Sequence, residues 1–269
     1  MLSRLEPCFV DLRDKPAVLK YTKKIKPDII FHTASYGGHT SQRNRREAIE
    51  TNFLGTVNLI EASNSVDYEL FVNTGSSSEY GIKKSRIREN EPLAPVTAYG
   101  ISKALATLYA LEIAGKENRP IVTLRLFTPY GYYDDRERLV TSAINCCLKN
   151  KPLKLSSPSA VRDFVFIEDV LDAYEKAYRN KDKIKGQIFN IAFGKQYSVA
   201  EVVNRVIKFT ETDTPALWGK IRNPRLEPRL WLADITKANK LLGWYPKYDL
   251  SKGLKKTIQW LKNNPHLYQ

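Results

Sequence analysis

A tyrosine and a lysine stand four residues apart in Tyr99-Gly-Ile-Ser-Lys103, at the head of a segment rich in alanine and leucine. On a helix this spacing puts both side chains on one face. An ammonium beside a phenol stabilises the phenolate, which turns the hydroxyl into a usable general acid/base. Upstream, Ser76-Ser77-Ser78 closes an apolar run, and a serine hydroxyl there could hold a substrate oxygen while the proton moves. The Y-x-x-x-K spacing is also that of any exposed helical pair. Its weight therefore comes from position, because strand–Ser–loop–helix puts both elements at the rim where α/β proteins bind ligands.

The elements that must place these residues are legible as alternating apolar runs and helical periods. Cys8–Asp11 (CFVD) is a short apolar run, and Asp28–Ser35 (DIIFHTAS), Glu69–Ser76 (ELFVNTGS) and Ile121–Phe127 (IVTLRLF) read as strands. Lys15–Ile25, Arg43–Ser65 and Tyr99–Ala114 between them carry helical spacing. Continuous rather than alternating apolar strands predict a parallel sheet covered on both faces. Farther on, Leu139–Leu148 reads as a helix, Asp163–Ile167 as a strand, and Asp169–Tyr178 as a helix opened by an aspartate cap. Gln187–Ile191 reads as a strand and Ser198–Phe209 as a capped helix. A loop-rich passage follows with Pro215, Pro224 and Pro228, then terminal helices at Asp234–Leu242 and Leu250–Trp260.

Composition narrows the function classes. The chain has 269 residues, 43 Lys and Arg against 29 Asp and Glu, a formal charge of +14, and 42% hydrophobic residues. That is enough apolar content for a large core, and it excludes disordered and collagen-like classes. No stretch reaches the ~18 apolar residues of a membrane span, and the N-terminal residues lack the apolar run of a secretory signal. Three cysteines, Cys8 and the adjacent Cys146 and Cys147, make no disulfide framework, so a reducing, cytoplasmic setting is expected. The basic residues are scattered along helices rather than interleaved with aromatics. A solvated lysine-rich surface that favours anionic ligands is expected, with no nucleic-acid partner, no membrane and no metal site.

The ordered set of motifs resembles the extended short-chain dehydrogenase/reductases, the nucleotide-sugar epimerases, dehydratases and ketoreductases. The set comprises Asp11-Leu12, His32-Thr-Ala-Ser35, Asn52 in N-x-x-G-T, Gly75–Gly81 (GSSSEYG), the Tyr99/Lys103 pair, Leu124–Gly131 (LRLFTPYG), Arg162–Val170 (RDFVFIEDV), Phe189-Asn-Ile-Ala192, Ala233-Asp234 and Leu242-Gly-Trp-Tyr-Pro246. The resemblance implies a Rossmann-like doubly wound parallel sheet with a smaller mixed α/β substrate-binding domain. Residues 1–135 would form a dinucleotide-binding domain and 136–269 the substrate-binding region, with parts of 162–195 returning to the first. It implies NAD or NADP as cofactor, a nucleotide-sugar substrate and a homodimer joined through the helices at Arg43–Ser65 and Tyr99–Ala114. Ala104, Ala106, Ala110 and Ala114 would allow close helix approach there, or would pack on the sheet. Position by position, Ser76, Tyr99 and Lys103 match the catalytic set. Asp11, Leu12, Ala34, Ser35, Asn52 and Phe127 match cofactor-side positions, together with Tyr99 and Lys103. Ser76, Thr128 and Arg162 match the substrate side, as do Arg225 and Arg229 in a loop that aligns loosely. Arg162 would contact nucleotide phosphates, or pair structurally with Asp163 or Glu168.

Three departures shape the expected chemistry. The 4,6-dehydratases of the family carry an acidic pair directly after the catalytic Thr or Ser; here those places hold Ser77 and Ser78, and Glu79 comes one residue too late. Elimination of water is therefore not expected. Reduction or oxidation of a keto-sugar, or epimerisation through a transient 4-ketone, remains. Thr128 replaces the usual asparagine, and the F-T-P-Y-G form is most similar to the 4-ketoreductase branch. Finally, no G-x-x-G-x-x-G is present, and Gly37-Gly38 follows a later strand, so the sequence reads as opening at the family's third strand, N-terminally truncated. The alternative to an active enzyme is a catalytically inactive truncated scaffold or nucleotide-sugar binding module that no longer binds the dinucleotide.

Overall fold

The computed structural model describes residues 6–38, 41–221 and 228–268. Helix α1 (Lys15–Ile25) opens on Asp14, whose carboxylate accepts the Ala17 N–H at 3.0 Å, and closes on Lys26 in a left-handed conformation. Strand β1 (Ile29–His32) follows. Next comes one helical rod made of α2 (Arg45–Ile49), a π turn at Glu50–Leu54 and α3 (Gly55–Ser63). Strand β2 (Leu70–Ser76), helix α4 (Ala98–Lys116) and strand β3 (Ile121–Leu126) complete the N-terminal alternation. Thr97 caps α4 by accepting the Gly100 N–H at 3.0 Å.

The later elements are β4 (Thr128–Tyr130), α5 (Leu139–Leu148), β5 (Leu153–Lys154), β6 (Val161–Phe166), α6 (Ile167–Arg179), β7 (Ile188–Ile191), β8 (Gln196–Ser198), α7 (Val199–Thr210), β9 (Ala216–Leu217) and α8 (Leu250–Asn263). Strands β1-β2-β3-β7 form a four-stranded sheet, all pairs parallel. Strands β4-β6-β8 and β5-β9 form two smaller sheets. The chain thus leaves the main sheet after β3 and returns to it at β7. Residues of opposite parity along β2 serve opposite faces. Leu70 and Val72 join Val170, Ala173 and Ala177 of α6 and Trp244, while Phe71 joins Ile60, Ala110, Ile113 and Ala114. A separate core of Val140, Ile144, Phe164, Val202, Val206 and Leu254 holds α5, α7, α8 and β6 together.

The structure corrects several expectations. The apolar run Cys8–Asp11 forms no strand, and Phe9 within it is 93% exposed. Asp169 does not cap its helix. Helix α6 starts directly from β6, with Phe166 at the cap position and no side-chain cap bond. Asp169, in the first turn, instead accepts the N–H groups of Lys247 at 2.8 Å and Tyr248 at 3.1 Å, while Trp244 Nε1 donates to its carbonyl. The segment expected to be helical at Asp234–Leu242 closes as a π turn over Ala238–Leu242. Ala104, Ala106, Ala110 and Ala114 of α4 are all buried, Ala110 and Ala114 against Phe71 of β2 and Ile121 of β3, and the exposed stripe of α4 is Ile101, Leu105 and Leu108. Among the described residues, no helix is long and apolar enough to cross a membrane.

Candidate functional site

Strands β1, β2 and β3 all end on one edge of the sheet, and a cavity of about 290 Å³ opens there. Its floor is built from residues just past those strand ends: Thr33 and Ser35 after β1, Ser76 and Ser77 at the end of β2, Leu126 and Phe127 after β3. Tyr99 and Lys103, one turn apart at the start of α4, form a wall. Thr128, Arg138, Arg162 and Trp231 close it from the side of the smaller sheets. The carboxyl edge of a parallel sheet is where such folds bind ligands, and the residues picked out by chemistry converge there. A larger cleft of about 710 Å³ lies beside β7, among Arg88, Leu111, Lys237 and Leu241. It contains none of the candidate residues, and Arg88 is already paired with Asp234.

Ser76 is 8% exposed and sits where extended backbone turns into a single 3-10 turn, Ser77–Glu79. Its hydroxyl oxygen accepts the Ser78 N–H at 3.2 Å. Lys103 is 2% exposed and lines the cavity, and its positive charge acts on the buried Glu79 and His32. Phe127 is buried against the ring of Tyr80, whose hydroxyl donates to Asn190 at 2.6 Å. The backbone of α4 passes so close to the serine turn that a Cβ on Gly100 would stand 2.6 Å from the Ser78 carbonyl oxygen.

On the far wall, Arg162 Nη1 donates to the Val161 carbonyl at 2.6 Å, and the guanidinium lies 5.7 Å from the centroid of the Trp231 ring. Asp163 and Glu168 have hydrogen bonds of their own. Glu168 takes Lys256 at 2.7 Å and Tyr132 at 2.8 Å. Asp163 accepts the backbone N–H groups of Phe193, Gly194 and Ala233, and burial pushes its carboxyl up to about 7 against those bonds. It thereby ties the loop carrying Trp231 to β6.

Other sequence candidates lie outside the cavity wall. Asn52, fully buried in the π turn, accepts the Tyr36 N–H at 2.7 Å and donates to the Tyr36 carbonyl and to Ser102 Oγ. It pins the loop after β1 to α4. Asp11 is forked by Arg13, which holds its carboxyl down at about 2. Leu12 packs on Gly55, where a Cβ would come within 2.9 Å of it. Ala34 lies between two cavity residues, Thr33 and Ser35. Arg229 is exposed and apart from the cavity, and Arg225 falls outside the described residues. Sequence reasoning did not pick out Arg138 or Trp231. It also passed over Glu79, although Ser76-Ser-Ser-Glu79 has the S-x-x-E pattern of a capping box. No carboxylate is among the described cavity residues.

Residues 2–192 match the profile of the NAD dependent epimerase/dehydratase family, which is well over half of the chain. The chain belongs to that family. Similar members include a putative UDP-glucose 4-epimerase of Methanocaldococcus jannaschii, 29% identical, with 94% of this chain and 83% of that protein aligned. The UDP-glucose 4-epimerase of Lactobacillus helveticus is 27% identical over 96% of this chain and 84% of its own. Among solved structures, the UDP-glucuronic acid 4-epimerase of Bacillus cereus, in complex with UDP-glucuronic acid and NAD, superposes with a TM-score of 0.83 at 26% identity. It covers 91% of this chain and 78% of its own. The UDP-glucose 4-epimerase of Thermotoga maritima shares the fold, with a TM-score of 0.88 at 24% identity over 95% of this chain and 84% of that one.

Seen as a member of this family, the chain has donors suited to one end of a nicotinamide dinucleotide. The buried Lys103 ammonium and the Tyr99 hydroxyl face the cavity beside the Phe127 ring. That set fits ribose hydroxyls and a flat heteroaromatic ring.

Proposed function

We propose that the chain is an NAD- or NADP-dependent enzyme acting on a nucleotide-linked sugar, by reduction at a 4-keto centre or by epimerisation through a 4-keto intermediate. The observation that carries this reading is the convergence of Ser76, Tyr99 and Lys103 on one cavity whose described wall holds no carboxylate. Bound at Lys103, the nicotinamide supplies or accepts the hydride. Tyr99 moves the proton on and off the sugar oxygen. Ser76 orients that oxygen by donating its hydroxyl proton to it, while the hydroxyl oxygen accepts the Ser78 N–H. Water elimination needs a separate acid and base, and carboxylates for those roles are absent from the described wall. Across the cavity, Arg162 offers a guanidinium fork to a diphosphate, and the adjacent Trp231 ring can cover a base or sugar.

The same reading gives the chain a homodimer. The exposed leucines and isoleucine of α4, with exposed Leu54 on the neighbouring rod, form an apolar stripe suited to a second copy. The functional test titrates the purified chain with NADH and NADPH, then supplies UDP-glucose and 4-keto nucleotide sugars. Tyr99→Phe is expected to lower turnover by about 100- to 10,000-fold, the usual worth of a general acid/base, with nucleotide-sugar binding retained. Full turnover by that variant would end the reading.

A further inference from the structure

Glu79 is fully buried directly beneath Ser76, on the side away from the cavity. Its Oε1 accepts two hydrogen bonds, from the Ser76 backbone N–H at 2.7 Å and from the Thr107 hydroxyl at 3.1 Å. Its Oε2 accepts Arg125 Nε at 2.7 Å. Arg125 is itself 2% exposed, lies 4.5 Å over the Tyr80 ring, and donates through Nη1 to the Glu89 carbonyl at 3.2 Å. Room for the carboxylate exists only because residue 75 is glycine. A Cβ there would meet Glu79 Oε1 at 2.7 Å, Thr123 Cγ2 at 2.9 Å and Arg125 Cγ at 3.0 Å.

The geometry of these partners matters for the site. Ser76 ends β2, whereas Thr107 lies on α4 one turn beyond Lys103 and two beyond Tyr99. A single carboxylate oxygen therefore bridges the strand end that carries the serine and the helix that carries the tyrosine and lysine. Arg125, on β3, fixes the other oxygen, so the carboxylate cannot rotate without abandoning a buried guanidinium. Glu79 is not itself among the cavity-lining residues, its oxygens have buried partners, and the charge of Lys103 acts on it.

We propose that Glu79 is a positioning residue, which sets the placement of the Ser76 hydroxyl relative to Tyr99 and Lys103 through its bridge from the Ser76 N–H to Thr107, with Arg125 as its anchor. This rests on the assignment of Ser76 to the substrate oxygen made above. Displacement of a catalytic group by about 1 Å costs rate rather than binding, on the order of 100-fold.

The test is a cycle of variants in the full chain with two independent readouts. Glu79→Gln is expected to lower kcat by about 10- to 100-fold with KM changed less than about twofold, and to cost almost nothing further in a Ser76→Ala background. Thr107→Val, which leaves the ion pair intact and so guards against misfolding, is expected to give a smaller kcat loss that also vanishes in Ser76→Ala. Losses that multiply with Ser76→Ala would mean a general structural role and would overturn the proposal. The second readout is the amide proton resonance of Ser76 in the free chain. Donation to a carboxylate holds it downfield, and Glu79→Gln is expected to move it upfield. An unmoved resonance overturns the proposal whether or not the chain turns over, whereas a wild-type chain with no activity but the expected shift defeats only the functional reading.

Discussion

His32, at the end of β1, is 3% exposed. Its Nε2 lies 2.8 Å from Thr56 Oγ1. The Thr56 hydroxyl proton is committed to the Asn52 carbonyl at 2.6 Å, so His32 must be the donor, in its neutral Nε2–H form. Burial, and then the positive charge of Lys103, push the imidazole down from 6.5 to about 3. A folded-state value below the unfolded one gives stability that is fully present above about pH 6.5 and is lost as pH falls toward 3. At pH 5 the unfolded chain has taken up this proton and the folded chain has not. With 1.36 kcal/mol for each pH step below 6.5, the loss between pH 7 and pH 5 is about 2 kcal/mol. Asp163 works the other way, since its raised value makes its share fade as pH rises through about 7; the raw pH profile of the wild type therefore mixes the two. His32→Gln keeps a donor for Thr56 and removes the titration, while Asp163 is common to both chains. Urea unfolding of wild type and His32→Gln at pH 7 and pH 5 should give wild type an extra loss of about 2 kcal/mol on acidification. Equal losses in the two chains would show that His32 is not held neutral by burial and Lys103.

Arg162→Gln is expected to weaken nucleotide-diphosphate binding by about 10- to 100-fold, as loss of a charge-assisted hydrogen bond does; calorimetry with UDP checks this, and unchanged affinity would remove Arg162 from the phosphate site. Leu108→Asp, on the exposed stripe of α4, should convert a dimer to monomer in analytical ultracentrifugation with helical content retained. Gly100→Ala would drive a Cβ to 2.6 Å from the Ser78 carbonyl, so it should force α4 away from the serine turn and reduce kcat by about 100-fold, read against its circular dichroism.

The alternation of strands and helices was legible because most strands are apolar runs bounded by turn residues, and because a cap such as Ser198 stands where its helix begins. The candidate triad was legible because it depends on local spacing plus the parallel-sheet rule. What sequence missed depends on partners far away in the chain. Asn52, a cofactor-side candidate by resemblance, has partners in Tyr36 and Ser102 that no local pattern announces. The alanines of α4 left open a helix–helix seam or packing on the sheet; Ala110 and Ala114 pack on Phe71 and Ile121 of the sheet, and Leu105 and Leu108 are left outside. Asp169 sits near a helix start, as a cap would, but its acceptors answer N–H groups almost eighty residues downstream. Arg138 and Trp231 reach the cavity only through the packing of the second core and the Asp163 tie, which no local pattern announces.

These long-range ties locate the site's vulnerability. Ile82 and Val96 line the cavity, but both are more than half-exposed or close to it, and substitution there leaves the backbone of Ser76 and α4 where it was. Glu79 and Arg125 lie behind the wall as a buried ion pair, and at Gly75 and Gly100 a Cβ would come within 2.7 Å and 2.6 Å of a neighbouring oxygen. Because packed interiors resist small displacements rather than absorbing them, a change behind the wall must move either the strand end or the helix. The separation of serine from tyrosine and lysine is thus fixed from beneath, so a change in the buried support should lower activity although it touches no ligand.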